Sequence, residues 1–258
     1  MIGFLLKKYF FDSWDSFFFI IILNFGFLLF LALGFALLFL APKAGIMFFL
    51  VFAYCLFVYL CSAASVIKDI SDYRRPSPMD FLVNLKNAFL PAGVLFTVLA
   101  LVFFVLCFTV PVYVKMGNIT GLAAAFFSCW ICLFILGAVQ FYPAVYYRLG
   151  MHPLKSLKKC AIIFFDNTGF CFFTLFANTI FSVLILPFPG CPLLFLDEAL
   201  RLRLFKYDWL DTRTAEQHNG HYEKNRRKTK IPWNELLAEE REKTGNRSWK
   251  SFFFPWKE

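Results

Sequence analysis

Five apolar runs dominate this chain: Phe17 to Ala41, Ile46 to Val66, Ala92 to Val114, Leu122 to Tyr147 and Gly169 to Phe188. Each is long enough to cross the hydrocarbon core of a bilayer, which takes about twenty apolar residues in a helix. Such runs restrict the fold severely. In hydrocarbon every backbone N–H and C=O must be satisfied inside the protein, and an α-helix does that within one segment. Composition agrees: hydrophobic residues make up 60% of the 258, above the share of about 45–50% usual for a soluble domain, and mean hydropathy is +0.64. A soluble fold of this size has too little interior to hide that surface. Phe alone supplies 38 residues, which suits lipid-facing helices and carries no functional message.

A sixth candidate, Pro192 to Phe205, is short and holds Asp197, Glu198, Arg201 and Arg203. Basic residues decide its treatment, since Lys and Arg collect in the cytoplasmic loops. Lys7, Lys8, Lys68, Arg74, Arg75, Lys86, Arg148, Lys155, Lys158 and Lys159 lie before the first run, between the second and third, and between the fourth and fifth. The intervening turns hold only Lys43 and Lys115. The start of the chain is therefore expected inside, and so is the tail, with Lys224, Arg226, Arg227, Lys228 and Lys230. Both ends on one side require an even number of crossings. The short segment is thus expected to complete a sixth, with Asp197 and Arg201 paired at i,i+4 near the boundary. A re-entrant or interfacial helix that never crosses is the alternative on length. Asp12 and Asp15, with the length of the first run, argue against a cleaved signal peptide.

The runs repeat a pattern. Leu6-Lys7-Lys8, Leu85-Lys86-Asn87 and Leu157-Lys158-Lys159 each precede a run, and each following pair turns at Pro and Gly: Pro42 and Gly45, Pro111 and Gly121, Pro187 and Gly190. The expected fold is all-α, a polytopic transmembrane bundle over residues 1–206 whose six helices form three pseudo-repeated hairpins, with a cytoplasmic tail over 207–258. In the first and third units Asp12 and Asn24 correspond to Asp166 and Asn178. The tail is polar around Gly220 and reads as a solvated linker; Pro232 to Lys243 reads as a helix stopped by Gly245. Trp249, Phe252, Phe253, Phe254 and Trp256 then form an aromatic end flanked by Arg247, Lys250 and Lys257, expected to dock on the cytoplasmic face of the bundle or the adjacent lipid.

Little in the sequence points to chemistry. No GxSxG, HExxH, P-loop or GxGxxG motif occurs, so the chain is expected not to be an enzyme and to need no cofactor. Eight cysteines lie in or beside apolar spans and form no disulfide framework or metal spacing; Cys129 and Cys132 make a CxxC inside an apolar helix, where thiols pack as small hydrophobes. His218 and His221 lack a third ligand, and His152 precedes Pro153 at a helix start. The net charge of +9 sits beside the spans, where it reports topology and anionic headgroups, and it does not indicate nucleic acid. Asn24, Gln140 and Asn178 are amides inside apolar runs. They either hydrogen-bond across helices or line a solute path with Ser62, Ser65, Thr97, Ser128 and Ser182. Asp12 and Asp166 stand just before spans, as helix N-caps or hydrated boundary acids; a proton-coupling role would require one of them to be buried.

A Phe/Trp-rich amphipathic stretch runs into a first span containing Leu23-Asn24, and Phe81 to Phe89 and Leu154 to Phe165 are amphipathic segments ahead of later spans. Over residues 1–206 this layout resembles the YesL-like family of small bacterial membrane proteins. The resemblance implies a bacterial inner-membrane protein with an accessory or transport role in solute uptake, and it supplies no functional residue. Three classes of function follow: a non-catalytic accessory or scaffold that holds a membrane-protein partner through its cytoplasmic segments and tail, a solute transporter or channel, and a membrane-embedded enzyme. The scarcity of intramembrane ionisable residues favours the first.

Overall fold

The computed structural model describes residues 2–40, 45–150, 152–184, 189–218 and 231–245. Every regular element among them is helical: α1 (Ile2–Asp15), α2 (Phe17–Leu40), α3 (Gly45–Ser71), α4 (Pro78–Asn87), α5 (Phe89–Phe104), a π turn (Val105–Thr109), α6 (Val110–Lys115), α7 (Ile119–Val139), α8 (Tyr142–Leu149), α9 (Pro153–Asp166), α10 (Thr168–Leu184), α11 (Gly190–His218), α12 (Trp233–Leu236) and α13 (Ala238–Thr244). Four stretches are long and apolar enough to cross a membrane: Phe17–Leu37, Gly45–Ser71, Phe89–Lys115 and Ile119–Leu149. The α9–α10 pair, bent by 106°, would make a fifth. Large apolar side chains point outward along these helices, with Phe18 81% and Phe39 90% exposed, as expected where the solvent is lipid. The chain forms two compact units, Ser16–Asp197 on its own and Met1–Asp15 together with Glu198–Glu258.

Within Ser16–Asp197, α2 and α3 form an antiparallel hairpin whose contact depends on missing side chains. Gly34 faces the Phe52 ring and Gly26 faces the Tyr59 hydroxyl; Phe30 stacks on both rings. Small residues let membrane helices approach closely where no hydrophobic force drives them together. The third of these stretches contains Pro111, which has no N–H to give and whose ring crowds the carbonyl four residues earlier. The π turn over Val105–Thr109 takes up that defect. The helix therefore runs through Pro111 to Lys115, and the turn expected at Pro111 forms at 116–118, where Gly117 has φ +64°. Asn118 then caps α7, its Oδ1 accepting from Gly121 N at 2.8 Å.

Helix breaks further along the chain position the polar groups. Pro143 interrupts α7 from α8, leaving Gln140 and Phe141 between them. Asn167 separates α9 from α10, its Nδ2 donating to Asp166 Oδ2 at 3.0 Å. One-residue breaks at Ser16, Ala88 and Asn167 thus end the three amphipathic helices α1, α4 and α9. Aligning these breaks sets Asp166 against Asp15, three residues away from the expected match with Asp12.

Glu198–Glu258 contributes the greater part of α11 and the described tail to the other unit. Helix α11 runs unbroken past Tyr207 to His218, so the boundary expected at 206/207 falls inside a helix. The tail helix expected over Pro232 to Lys243 is split at Leu237, whose side chain is fully buried. Around it Arg201 pairs with Glu240 at 2.6 Å, Arg203 lies over the Trp233 ring, and Arg241 lies over Phe4 of α1. The tail thus docks through α12 and α13 themselves. Trp249, Phe252, Phe253, Phe254 and Trp256 lie outside the described residues, as do Pro42, Lys43, Pro187, Gly220, His221 and Lys224 to Lys230.

A Cβ on Gly34 would come within 1.9 Å of the Phe52 ring, so Gly34→Ala is expected to lower stability by about 1–3 kcal/mol through overpacking. Unfolding of the detergent-solubilised protein measures this, with Gly3→Ala as control because nothing lies within 4 Å of its added Cβ; equal stabilities would show that the α2–α3 contact is not as close as described.

Candidate functional site

The densest polar constellation in Ser16–Asp197 centres on Arg148, in the last turn of α8. There the helix ends in Gly150 at φ +56°, and a cation suits the negative end of the helix dipole. Its guanidinium grips Asp197 with two nitrogens, Nε donating to Oδ1 at 2.9 Å and Nη2 to Oδ2 at 2.5 Å. Nη1 donates to Asp72 Oδ1 at 3.0 Å. Ser71, fully buried at the end of α3, is hydrogen-bonded to both the guanidinium and Asp197 Oδ2. Beside them Lys68 Nζ donates to Tyr147 O at 2.9 Å. Side-chain exposure is 8% for Arg148 and 3% for Asp197, a burial that forked pairing with satisfied hydrogen bonds makes tolerable.

This arrangement corrects the reading of Asp197. Its partners are Arg148 and Ser71 from other helices, whereas Arg201, one turn further along α11, bonds Glu240. A forked partner with a second donor outcompetes a single i,i+4 contact on the same helix, which is worth only a few tenths of a kcal/mol.

The three intramembrane amides have separate uses. Asn24, buried on α2, accepts from Gly190 N at 2.9 Å and so caps the first turn of α11. Glycine at 190 makes room for this contact, because a Cβ would come to 2.9 Å from Asn24 Oδ1 and 3.0 Å from Ile20 Cγ2 and force the Asn24 side chain to shift. Gln140 sits in the α7–α8 break, where its Nε2 donates to Gly137 O and to Cys171 O, both at 2.9 Å, tying α7 to α10. Asn178 is two turns beyond Cys171 on α10. Its Oδ1 and Gln140 Oε1 are buried without a hydrogen-bond partner. No hydrogen bond joins the three amides to one another among the described residues. Of the lesser polar candidates, Ser62 donates to Phe81 O, Ser65 to Ser62 O, Thr97 to Gly93 O and Ser128 to Ala124 O.

The two boundary acids differ. Asp166 is exposed at the end of α9 and accepts from Asn167. Asp12 lies within α1, four residues before the break at Ser16, so it does not cap α2. It belongs to the other unit, where it is buried and paired with Lys8, itself fully buried. Glu198, equally buried, brings Oε1 to 3.9 Å from Lys8 Nζ. Two carboxyls thus face one ammonium. Burial raises the Asp12 carboxyl above its ordinary 3.8, against the lowering effect of Lys8.

In the sequence Arg148 and Lys8 read as markers of topology, and Asp197 as the i,i+4 partner of Arg201 near the boundary, with no role for Glu198. A signal for more was present: Asp197 directly follows the apolar Leu193 to Leu196, where an acid requires a partner. No group of three or more His, Cys, Asp or Glu capable of holding a metal ion occurs among the described residues. Every cysteine in the structure is a free thiol.

With protein-family models, curated proteins and solved structures, the chain gives no match.

Removing either Arg148 or Asp197 leaves its partner charged in a buried site, so Arg148→Met or Asp197→Leu is expected to lower stability by about 3–5 kcal/mol, and the Arg148→Met/Asp197→Leu pair by much less than the sum. Unfolding of the four proteins in detergent completes that cycle, and additive losses would mean the pair is not coupled. For Asp12 the sign runs the other way from an ordinary ion pair. A raised carboxyl holds its proton more tightly in the folded chain than in the unfolded one, so its contribution to stability declines as pH rises from about 3.8 through the raised value. Asp12→Asn should flatten stability against pH over that window; an unchanged profile would place the titration elsewhere.

Proposed function

We propose that the chain is a non-enzymatic polytopic protein of the bacterial inner membrane, an accessory or scaffold component of a solute-uptake system, as its resemblance to the YesL-like family implies. The observation that carries this reading is the use made of polar groups within the apolar layer and at its edge. Asn24 holds a helix start, Gln140 ties two helices, and Arg148 is neutralised by Asp197 and Asp72. Each is used for assembly, whereas a coupled carrier needs ionisable groups that face its solute path. A solute path is the second reading, favoured by the unbonded amide oxygens of Gln140 and Asn178. Copurification from native membranes in mild detergent should yield a stoichiometric membrane partner. Solute flux through liposomes holding this chain alone, abolished by Asn178→Leu, would decide for the second reading.

Both ends are read as cytoplasmic from the basic loops. The third unit is better read as re-entrant than as a fifth and sixth crossing. Gly190 begins α11 beside Asn24, the eighth residue of α2, and Asp197 already meets Ser71 at the end of α3. Those seven residues advance about 10 Å along a helix axis. The 106° bend before α10 supports the same reading. Four full crossings followed by a segment that enters and leaves on one side keep both ends together, and so satisfy the charge distribution without a sixth span. In a cysteine-free background, Pro189→Cys should escape a membrane-impermeant maleimide added outside, while Gly117→Cys in the outer turn reacts. External labelling of position 189 would restore the six-helix arrangement of three hairpins.

A further inference from the structure

An open groove of about 600 Å³ lies between α3, α5 and α9, lined by Tyr54, Leu90, Gly93, Thr97, Leu154 and Leu157 among others. Its volume falls within the range of small-molecule sites, about 300–1,000 Å³. The lining is apolar in its chemistry as well as its composition. Tyr54 donates its hydroxyl to Phe89 O at 2.9 Å and Thr97 donates to Gly93 O at 2.8 Å. Both hydroxyl protons are thus directed to backbone carbonyls, and the floor suits a hydrocarbon chain. Gly93 keeps the groove open, since a Cβ there would meet only Tyr54, at 3.8 Å, with room beyond it.

The rim carries the opposite chemistry. Lys86 lies in the last turn of α4, two residues before the break at Ala88 after which Phe89 and Leu90 of α5 line the groove. On α9, Leu154 and Leu157 line the groove while Lys155, Lys158 and Lys159 flank them, and Lys158 follows Leu154 by four. All four lysines are exposed, and none has an ion-pair partner among the described residues. By contrast Arg148, Lys8 and Arg201 are all matched by carboxylates. A cationic rim without counter-charges above an apolar groove is complementary to an anion with a hydrocarbon tail.

We propose that this groove binds an anionic glycerophospholipid, with one acyl chain along Gly93 and Leu157 and the phosphate headgroup held by Lys86 and Lys158. The site differs from general contact with the bilayer in preferring one headgroup charge at one place. The test uses the full chain in a mild non-ionic detergent with phosphatidylglycerol or phosphatidylcholine of identical acyl chains added. Thermal unfolding should shift upward by several degrees with phosphatidylglycerol and by clearly less with phosphatidylcholine. Lys86→Gln/Lys158→Gln alters exposed positions only, and should erase the difference between the lipids while leaving the lipid-free melting temperature in place. Gly93→Leu fills the groove and should remove the response to both. Lipid retained through purification, quantified by mass spectrometry, gives a second readout on the same proteins. Equal shifts with the two lipids in the unaltered chain, or a phosphatidylglycerol preference that survives the lysine substitutions, would overturn the assignment.

Discussion

Hydrocarbon offers a polar group no partner, and the architecture of Ser16–Asp197 follows from that single deficiency. Proline breaks and helix ends release backbone groups that water would satisfy in a soluble protein. Here side chains from neighbouring helices do so. Asn24 takes the amide that begins α11, and Gln140 takes the carbonyls of Gly137 and Cys171. Each irregularity in one helix is thereby converted into an attachment to another.

Charge follows the same logic one layer further out. Arg148 would be prohibitively costly to bury alone, and the two carboxylates and one hydroxyl around it come from segments far apart in sequence. A forked guanidinium fixes direction as well as distance, so the ends of α3 and α8 and the early turns of α11 are set in one register. The net worth of such a pair compared with an apolar filling is small, and its firmer consequence is that other registers leave a charge unmatched.

Much of this was legible in the sequence, and the omissions have a common cause. Apolar run length located α2, α3, α5 and α7, because crossing a bilayer is a one-dimensional requirement. Cap chemistry is also local, and Pro232 and Gly245 bounded the tail helices within a residue or two. Partner choice is not local. Asp197 had Arg201 available one turn away, yet its partner is Arg148, and only the packing of α8 beside α3 brings that guanidinium within reach. Asp12 looks like a cap because it stands near a span; its helix continues to Asp15, and it is buried in a pair with Lys8. The turn misplaced at Pro111 had a different origin, since a π turn lets a helix pass a proline that local rules treat as a stop.

The unit built from Met1–Asp15 and Glu198–Glu258 has a temporal meaning. Helix α1 is made before the apolar helices, carrying Lys8 and Asp12, whereas Glu198 follows them in the chain. Throughout synthesis of the apolar helices, α1 is an amphipathic segment with its ionic face uncovered, and the headgroup layer is the one place that accommodates such a segment. Closure of this unit is therefore a late step joining distant parts of the chain, the kind that is slow and exposed to competing associations. Interrupted or delayed translation beyond the last span would leave a protein fully inserted in the membrane and yet unfinished at its beginning.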